Sequence, residues 1–156
     1  MRMIKGLAGV LALAACGPAP TYMDATVNGE LWQAEHVTCF FHSDGPELDV
    51  SGSRTTGPET KTFINLVGLP PVPATVSLGD EGPIGVILET DLLGWNVDVG
   101  HATTADLRGT VTITEVNVQH HGCGGTFSFV AGPAYGGVTD TVTVSDGAWS
   151  VNLQRH

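Results

Sequence analysis

A regular alternation of apolar and hydroxyl-bearing side chains constrains the fold more than any other feature of the sequence. It runs from Gly109 to Ala131 as GTVTITEVNVQHHGCGGTFSFVA, in which a polar connection rich in glycine and histidine separates two alternating arms. A period of two is expected of a β-strand that buries one face. The stretch therefore predicts two antiparallel strands joined by this connection.

The alternation changes phase once within the first arm. Val111 and Ile113 share one parity, whereas Val116 and Val118 have the other. A β-bulge inserts one residue and corrects such a change of phase, so we expect a bulge near Glu115 that returns both apolar pairs to one core.

Short alternating segments recur along the rest of the chain between turn-forming residues. Asn28-Gly29 and Asp146-Gly147 are each interpreted as the turn of a hairpin. The 21 glycines and 9 prolines fit many short strands linked by turns. No segment repeats every 3.6 residues, so almost no helix is expected after the N-terminal segment. Residues 23–156 are predicted to form a single all-β domain, an antiparallel β-sandwich or partly closed barrel of about ten short strands.

Two segments have more specific predictions. Phe63–Val67 is apolar on both faces, which predicts a central strand covered on both sides. Residues 100–108 are small and polar, and we expect them to form a loop.

The N-terminal segment has the pattern of a bacterial lipoprotein signal. Two basic residues precede an apolar stretch that is too short to span a bilayer and that ends Leu13-Ala14-Ala15-Cys16. This ending resembles the lipobox of bacterial lipoproteins. The resemblance implies removal of a signal peptide, residues 1–15, and attachment of lipid to Cys16, with residues 16–22 forming the lipidated cysteine and a short tether. The alternative is a plain secretory signal followed by a chance cysteine.

The net charge of the chain and its expected lipid anchor together restrict the partners that it can have. The formal net charge is −10 at pH 7, and this disfavours nucleic acid held through phosphate contacts. The expected location is the bacterial cell envelope, and Gly17 after the cysteine favours the outer membrane. The expected partners are the membrane, through the lipid anchor, and an unknown envelope protein or small ligand.

Three motifs carry a resemblance that covers about the whole mature chain. They are VNGELWQA at 27–34, the GTVTITE…GTFSF pair within 109–129, and the closing VTVSDGAWSV at 142–151. Together they resemble a group of small all-β bacterial lipoproteins of unknown function, whose members open with a Val-Asn-Gly-x-x-Trp-x-Ala hairpin and end in a threonine-rich hairpin. The group has no assigned activity, so the resemblance implies no catalytic residues. The His-His-Gly-Cys-Gly connection departs from its pattern.

Lipidation of Cys16 would leave Cys39 and Cys123 as one possible pair in an oxidising compartment. Each is in phase with the apolar residues of its own strand, so both should point inward and a disulfide is expected. The long span between them gives a predicted stabilisation of roughly 4–5 kcal/mol. The alternative is two free thiols.

Histidines near both cysteines support a competing hypothesis, a zinc or copper site. Two histidines flank Cys39 and two more come just before Cys123, and imidazole and thiolate are ligands that these metals prefer. The candidate ligands are His36, His42, His120, His121 and Cys123. Their spacing matches no closed metal-binding pattern, and a disulfide would use the same thiolate, so the two hypotheses compete.

The sequence contains neither a Gly-x-Ser-x-Gly nucleophile elbow nor a phosphate-binding glycine-rich loop before a helix. We therefore expect no catalytic residues and no cofactor. Trp32, Trp95 and Trp149 could form a sugar-stacking platform, but core packing is the expected role of each.

Three acidic residues near Cys39 could suggest calcium. Asp44, Glu47 and Asp49 lack the spacing of a calcium loop, and we interpret them as a solvated strand face. The leading functional interpretation is a non-enzymatic, lipid-anchored envelope protein that acts as a binding or interaction module. The alternative is a periplasmic metal-binding protein, and an enzyme of unidentified class comes third.

Overall fold

The alternating segments of the sequence form strands throughout the part of the chain that the structure describes. The structure is a computed structural model, and it describes residues 20–58, 60–79, 83–89, 94–96, 108–135 and 140–152. The strands are β1 (Tyr22–Val27), β2 (Glu30–Gln33), β3 (His36–Phe41), β4 (Leu48–Thr55), β5 (Lys61–Leu69), β6 (Ala74–Leu78), β7 (Ile84–Glu89), β8 (Gly94–Asn96), β9 (Gly109–Asn117), β10 (Gly122–Tyr135) and β11 (Val142–Val151). Among these residues only Val118–His120 is helical, as one 3₁₀ turn. The predicted all-β class is confirmed.

Several predictions fall on other residues. The signal peptide (1–15), the lipidation residue Cys16 and residues 100–107 of the loop expected over 100–108 lie outside the described residues. The backbone of Trp95 lies in β8, but its side chain is outside the description. No helix in the described ranges is long and apolar enough to cross a membrane.

Two antiparallel sheets form a β-sandwich and share the long strand β10. The first sheet has the order β2-β1-β11-β10-β9-β6, and the second runs β3-β4-β5-β7-β8. The first part of β10 pairs with β11 and β9, whereas its end, from Gly132 to Tyr135, pairs with β8. The chain passes from one sheet to the other within a single strand.

Side chains from the two sheets meet in one core. Met23 and Trp32 of the first sheet lie over Gly52 of the second, and Phe129 lies over Gly85. Trp32 is 5% exposed and Trp149 is 1% exposed, so the predicted core positions of these two tryptophans are confirmed. Burying a large apolar side chain stabilises the fold by roughly 1.5–3 kcal/mol, and the sheets supply such residues from both sides.

The predicted bulge in the first arm of the 109–131 hairpin is confirmed. In the β9–β10 register Gly124 pairs with Glu115 while Gly125 pairs with Ile113, which leaves Thr114 as the inserted residue. Val116 then packs against the core. Val118, however, is 54% exposed, because β9 ends at Asn117 and the 3₁₀ turn carries the valine out of the sheet. The expectation that it joins the core is wrong.

The two turn-forming dipeptides behave differently. Asn28 and Gly29 have φ angles of 49° and 84° and join β1 to β2, as the type I′ turn prediction requires. Asp146-Gly147 is not a hairpin turn. Strand β11 runs through it from Val142 to Val151, and both neighbouring strands shift register there. With Asp146 at a φ of 52°, the pair forms a β-bulge.

Strand β5 is central, as predicted, because it pairs with both β4 and β7. Its two faces are not equally covered. Ile64 and Leu66 are fully buried in the sandwich, whereas Phe63 and Val67, on the outer face, are only partly buried. The prediction that both faces are covered is correct only for the inner one.

Candidate interaction site at the disulfide

The predicted disulfide joins the two sheets. Cys39 on β3 and Cys123 on β10 are bonded, with their Cα atoms 6.3 Å apart and 84 positions between them in sequence. Cys123 is 2% exposed, and its sulfur accepts a hydrogen bond from the Trp149 indole N–H at 3.2 Å. The disulfide connects β3, the edge strand of the second sheet, to β10 in the middle of the first sheet.

The histidine-rich connection lies at the end of β3. Its 3₁₀ turn is capped by Asn117, whose side-chain oxygen accepts a hydrogen bond from the His120 backbone N–H at 3.2 Å. His121 follows with a φ of 49°, in the left-handed region, and its ring packs edge-on against Phe41 with 5.9 Å between the ring centroids. A bond between Cys39 and Cys123 requires this connection to lie near β3, and the contact between Phe41 and His121 shows that it does.

His42 forms the polar centre of the site. Its Nε2 atom lies 2.8 Å from Asp49 Oδ2, and Asp49 Oδ1 accepts a hydrogen bond from the Gly68 backbone N–H at 2.9 Å. The Asp49 carboxylate therefore bridges β5 and the residue after β3. The hydrogen bond between His42 and Asp49 raises the pKa of His42, and the negative charges of Asp49, Glu47 and Asp44 raise it further. Asp49 is thus not simply part of the solvated strand face that the sequence predicts, because both of its carboxylate oxygens have partners.

The outward face of β3 is exposed and aromatic. Phe40 is 60% exposed, and its ring contacts the His42 ring edge-on with 4.9 Å between the centroids. Thr38, Asp44 and Glu47 are also exposed. We call this set the β3 edge surface: Thr38, Phe40, His42, Asp44 and Glu47.

Strand β3 ends its sheet, since it pairs only with β4 in the described part of the chain. Edge strands are usually protected from further pairing by charged residues, by proline or by being short. The edge β2 has only four residues and begins with Glu30, and the edge β6 follows Pro73. Strand β3, HVTCFF, contains neither lysine nor proline and has six residues. Among these three edge strands of the described part of the chain it is the longest, and it contains no carboxylate either.

The candidate metal ligands are not brought together. His36 starts β3 opposite Ser53, His42 follows the other end of that strand, and His120 is exposed on the 3₁₀ turn. Cys123 is bonded to Cys39, so its thiolate is not available to a metal. Within the described ranges no three His, Cys, Asp or Glu side chains are grouped to hold an ion. The structure therefore does not group His36, His42, His120, His121 and Cys123 as a ligand set, and the metal site stays a prediction from the sequence.

Comparison with protein families, with curated proteins and with solved structures finds no match to this chain. The resemblance to small bacterial lipoproteins stays a prediction that rests on the sequence motifs themselves.

Proposed function

We propose that this chain is a lipid-anchored protein of the bacterial cell envelope, located at the outer membrane, that acts without catalysis as an interaction module. Its anchor is the lipid on Cys16. Its contact region is the β3 edge surface, and its partner is another envelope protein that adds an extended, basic segment beside β3.

The lipobox and the short tether support the anchoring. Strand β1 begins at Tyr22, six positions after Cys16. Six residues reach at most about 20 Å when fully extended. The domain would therefore sit against its own membrane, where its partners would be other proteins of the same surface.

The observation that carries the proposal is the edge of β3, which pairs only with β4 among the described strands and contains no lysine, proline or carboxylate. Addition of a strand to a sheet edge gives affinity through backbone hydrogen bonds and specificity through side-chain contacts. Phe40 offers an aromatic anchor of the kind that is enriched in protein interfaces. The disulfide fixes β3 in place, which lowers the cost of ordering this edge on binding.

The charge of the site defines the partner. Asp44, Glu47 and Asp49 surround His42, and the whole chain has a formal charge of −10. A segment with lysine or arginine beside its apolar residues complements this surface, whereas an acidic segment is repelled.

The experiment places a photo-crosslinking amino acid at position 40 of the full chain in its native membrane, with position 72 as the control. Val72 is a comparably exposed apolar residue at 55% and lies outside the β3 edge surface. We expect one discrete crosslinked envelope protein from position 40 and none from position 72. The double variant Asp44→Lys/Glu47→Lys should lose this product. Equal products from both positions, or an unchanged product in the charge variant, would refute the proposal.

A further inference from the structure

The tether joins the domain at one identifiable end of the sandwich. Strand β1 starts there at Tyr22, which pairs with Ser150 near the end of β11. The hydroxyl oxygen of Thr21 accepts a hydrogen bond from the Asn152 backbone N–H at 3.3 Å. This bond fastens the residue before β1 to the residue after β11. We call this end of the sandwich the anchor end.

The 3₁₀ turn after β9 lies at the anchor end. Asn117 and Gly122 form the last pair of the β9–β10 hairpin, and Cys123, the next residue of β10, pairs with Val151 at the end of β11. The turn therefore extends beyond the ends of β1 and β11. Val118, its first residue, is exposed.

The connection from β5 to β6, residues 70–73, lies at the same end. It follows Leu69, which pairs with Leu48, and Leu48 pairs in turn with Phe41. The Phe41 ring contacts the histidine that ends the 3₁₀ turn. Val72, in the middle of this connection, is exposed.

Exposed large apolar side chains are concentrated at the anchor end. Of the five in the described ranges, Tyr22, Val72 and Val118 lie there. Phe40 lies close to this end, on the β3 edge surface. Leu31 is at the opposite end, in β2 beside the β1–β2 turn. We call Tyr22, Val72 and Val118 the anchor-end surface. Exposed apolar surfaces commonly mark sites of contact with a protein or a membrane.

The two connections that carry this surface have no carboxylate, lysine or arginine. Their sequences are PPVP at 70–73 and VQHH at 118–121. The acidic turn at 43–46 also reaches this end, but on the side of the β3 edge surface. Four charged residues lie at the opposite end of the sandwich: Glu30, Glu35, Arg54 and Lys61. A charge is costly to bring against lipid, so the anchor end suits a bilayer better than the opposite end does.

The two connections also expose few unpaired backbone donors. Three of the four residues at 70–73 are prolines, which have no backbone N–H. In the 3₁₀ turn the His120 N–H donates to the Asn117 side chain. The next N–H, that of His121, donates to the Val118 carbonyl oxygen. An unpaired donor is costly where water is scarce, and these pairings lower that cost.

We infer that the anchor-end surface lies in the lipid–water interface of the membrane that holds the anchor. Val72 and Val118 contact the boundary between headgroups and acyl chains, and the Tyr22 ring lies at headgroup level, where tyrosine is enriched in membrane proteins. The inference rests on the lipid anchor of the proposed function, but not on the partner of the β3 edge surface. It fixes the orientation of the domain, with the β1–β2 turn pointing away from the bilayer.

The length of the tether selects the membrane as the occupant. Strand β5 has nine residues and spans roughly 30 Å, which exceeds the reach of about 20 Å estimated for the tether. The opposite end therefore cannot contact the same bilayer, whereas the anchor end is held beside it. Holding the surface there gives it a high effective concentration of lipid, so a few apolar side chains are sufficient for contact.

The test uses ¹⁵N-labelled, acylated full-length protein in phosphatidylcholine nanodiscs that contain a small fraction of lipid with a gadolinium chelate on its headgroup. Paramagnetic relaxation is compared at the backbone amides of Gln119, beside Val118, and of Glu30. Glu30 pairs with Val27, five positions beyond Tyr22. This separation is about 16 Å along the strand, and the enhancement falls with the sixth power of distance, so Gln119 should be affected about tenfold or more strongly.

Two variants separate a lipid contact from mere tethering. Val72→Glu with Val118→Glu should lower the Gln119 enhancement severalfold, because carboxylates resist burial in the interface. Leu31→Glu is the matched control and should leave the enhancement unchanged, since Leu31 is comparably exposed at the opposite end.

Mass spectrometry of the same sample separates failure of the inference from failure of the anchor. A chain that carries no lipid on Cys16 would overturn the anchor and the inference together. An acylated chain with equal enhancement at Gln119 and Glu30, or with enhancement that the double variant leaves unchanged, would overturn the inference alone. Enhancement that differs between the two amides only when two copies share a nanodisc would also overturn it and would assign the surface to a second copy.

Discussion

The ring of Trp149 occupies the space that a side chain on Gly125 would need. The two residues are paired across β10 and β11, and a Cβ atom at position 125 would overlap the indole ring and the Thr112 carbonyl oxygen. Glycine is thus required at this position for packing. Gly124, the next residue along, faces the other way, and a Cβ there would meet its nearest atom, the Trp149 carbonyl oxygen, at 3.4 Å.

We expect Gly125→Ala to lower the free energy of unfolding by about 1–3 kcal/mol, as overpacking of a core usually does. Gly124→Ala is the matched control and should change it much less, since 3.4 Å is an ordinary contact distance. Chemical denaturation of both variants, followed by the blue-shifted tryptophan emission, measures the difference. Equal losses in the two variants would mean that strand propensity, not the Trp149 contact, sets the cost.

Individual residues differ in how far the sequence predicts their role. The pairing of Cys39 with Cys123 could be predicted from strand parity. It requires only that each cysteine be in phase with the apolar residues of its own strand. The contact between His42 and Asp49 requires the register of the β3–β4 hairpin, which parity does not provide.

At the scale of elements, the same local signal gave one correct and one wrong prediction. Asn28-Gly29 lies between β1 and β2, which pair with each other on either side of it, and it forms the turn. Asp146-Gly147 lies in β11, where β1 and β10 pair on both sides of it, and it forms a bulge. Both dipeptides supply the positive φ that a turn or a bulge needs. Only the surrounding strands decide between them, and a local reading of the sequence does not contain that information.

The link between strands β3 and β10 gives a prediction at this scale. Replacing both bonded cysteines, Cys39→Ala with Cys123→Ala, should lower the free energy of unfolding by roughly 4–5 kcal/mol, because the closed loop is long. Denaturation of the oxidised wild type, of the reduced wild type and of the double variant measures the effect. Reduction should reproduce most of the loss.

Thiol counting provides the control for that experiment. The unfolded, unreduced mature protein should expose no reactive thiol, since Cys16 is lipidated under the proposed function and the other two are bonded. Two reactive thiols would contradict the disulfide in the isolated protein, and one equivalent of bound zinc or copper beside them would restore the metal hypothesis.

For the whole molecule, charge and attachment are connected. A chain with a formal charge of −10 has 16 acidic and 6 basic residues, and anionic lipid headgroups repel such a surface. The net charge therefore disfavours electrostatic attraction between the domain and an anionic membrane surface. Under the proposed function, attachment depends on the acyl chains of one residue.

Cys16→Ser should therefore release the protein from the membrane or leave an uncleaved precursor, and it should abolish incorporation of labelled palmitate. Fractionation of cells at low and at high salt, with the wild type alongside, measures attachment. Because repulsion is screened by salt, raising the ionic strength should not release the wild type, and lowering it should not recover the variant. The β domain of the variant should still fold and still contain its Cys39–Cys123 bond, since the described strands begin only at Tyr22. A variant that remains acylated and sediments with the membrane would show that Cys16 is not the anchor.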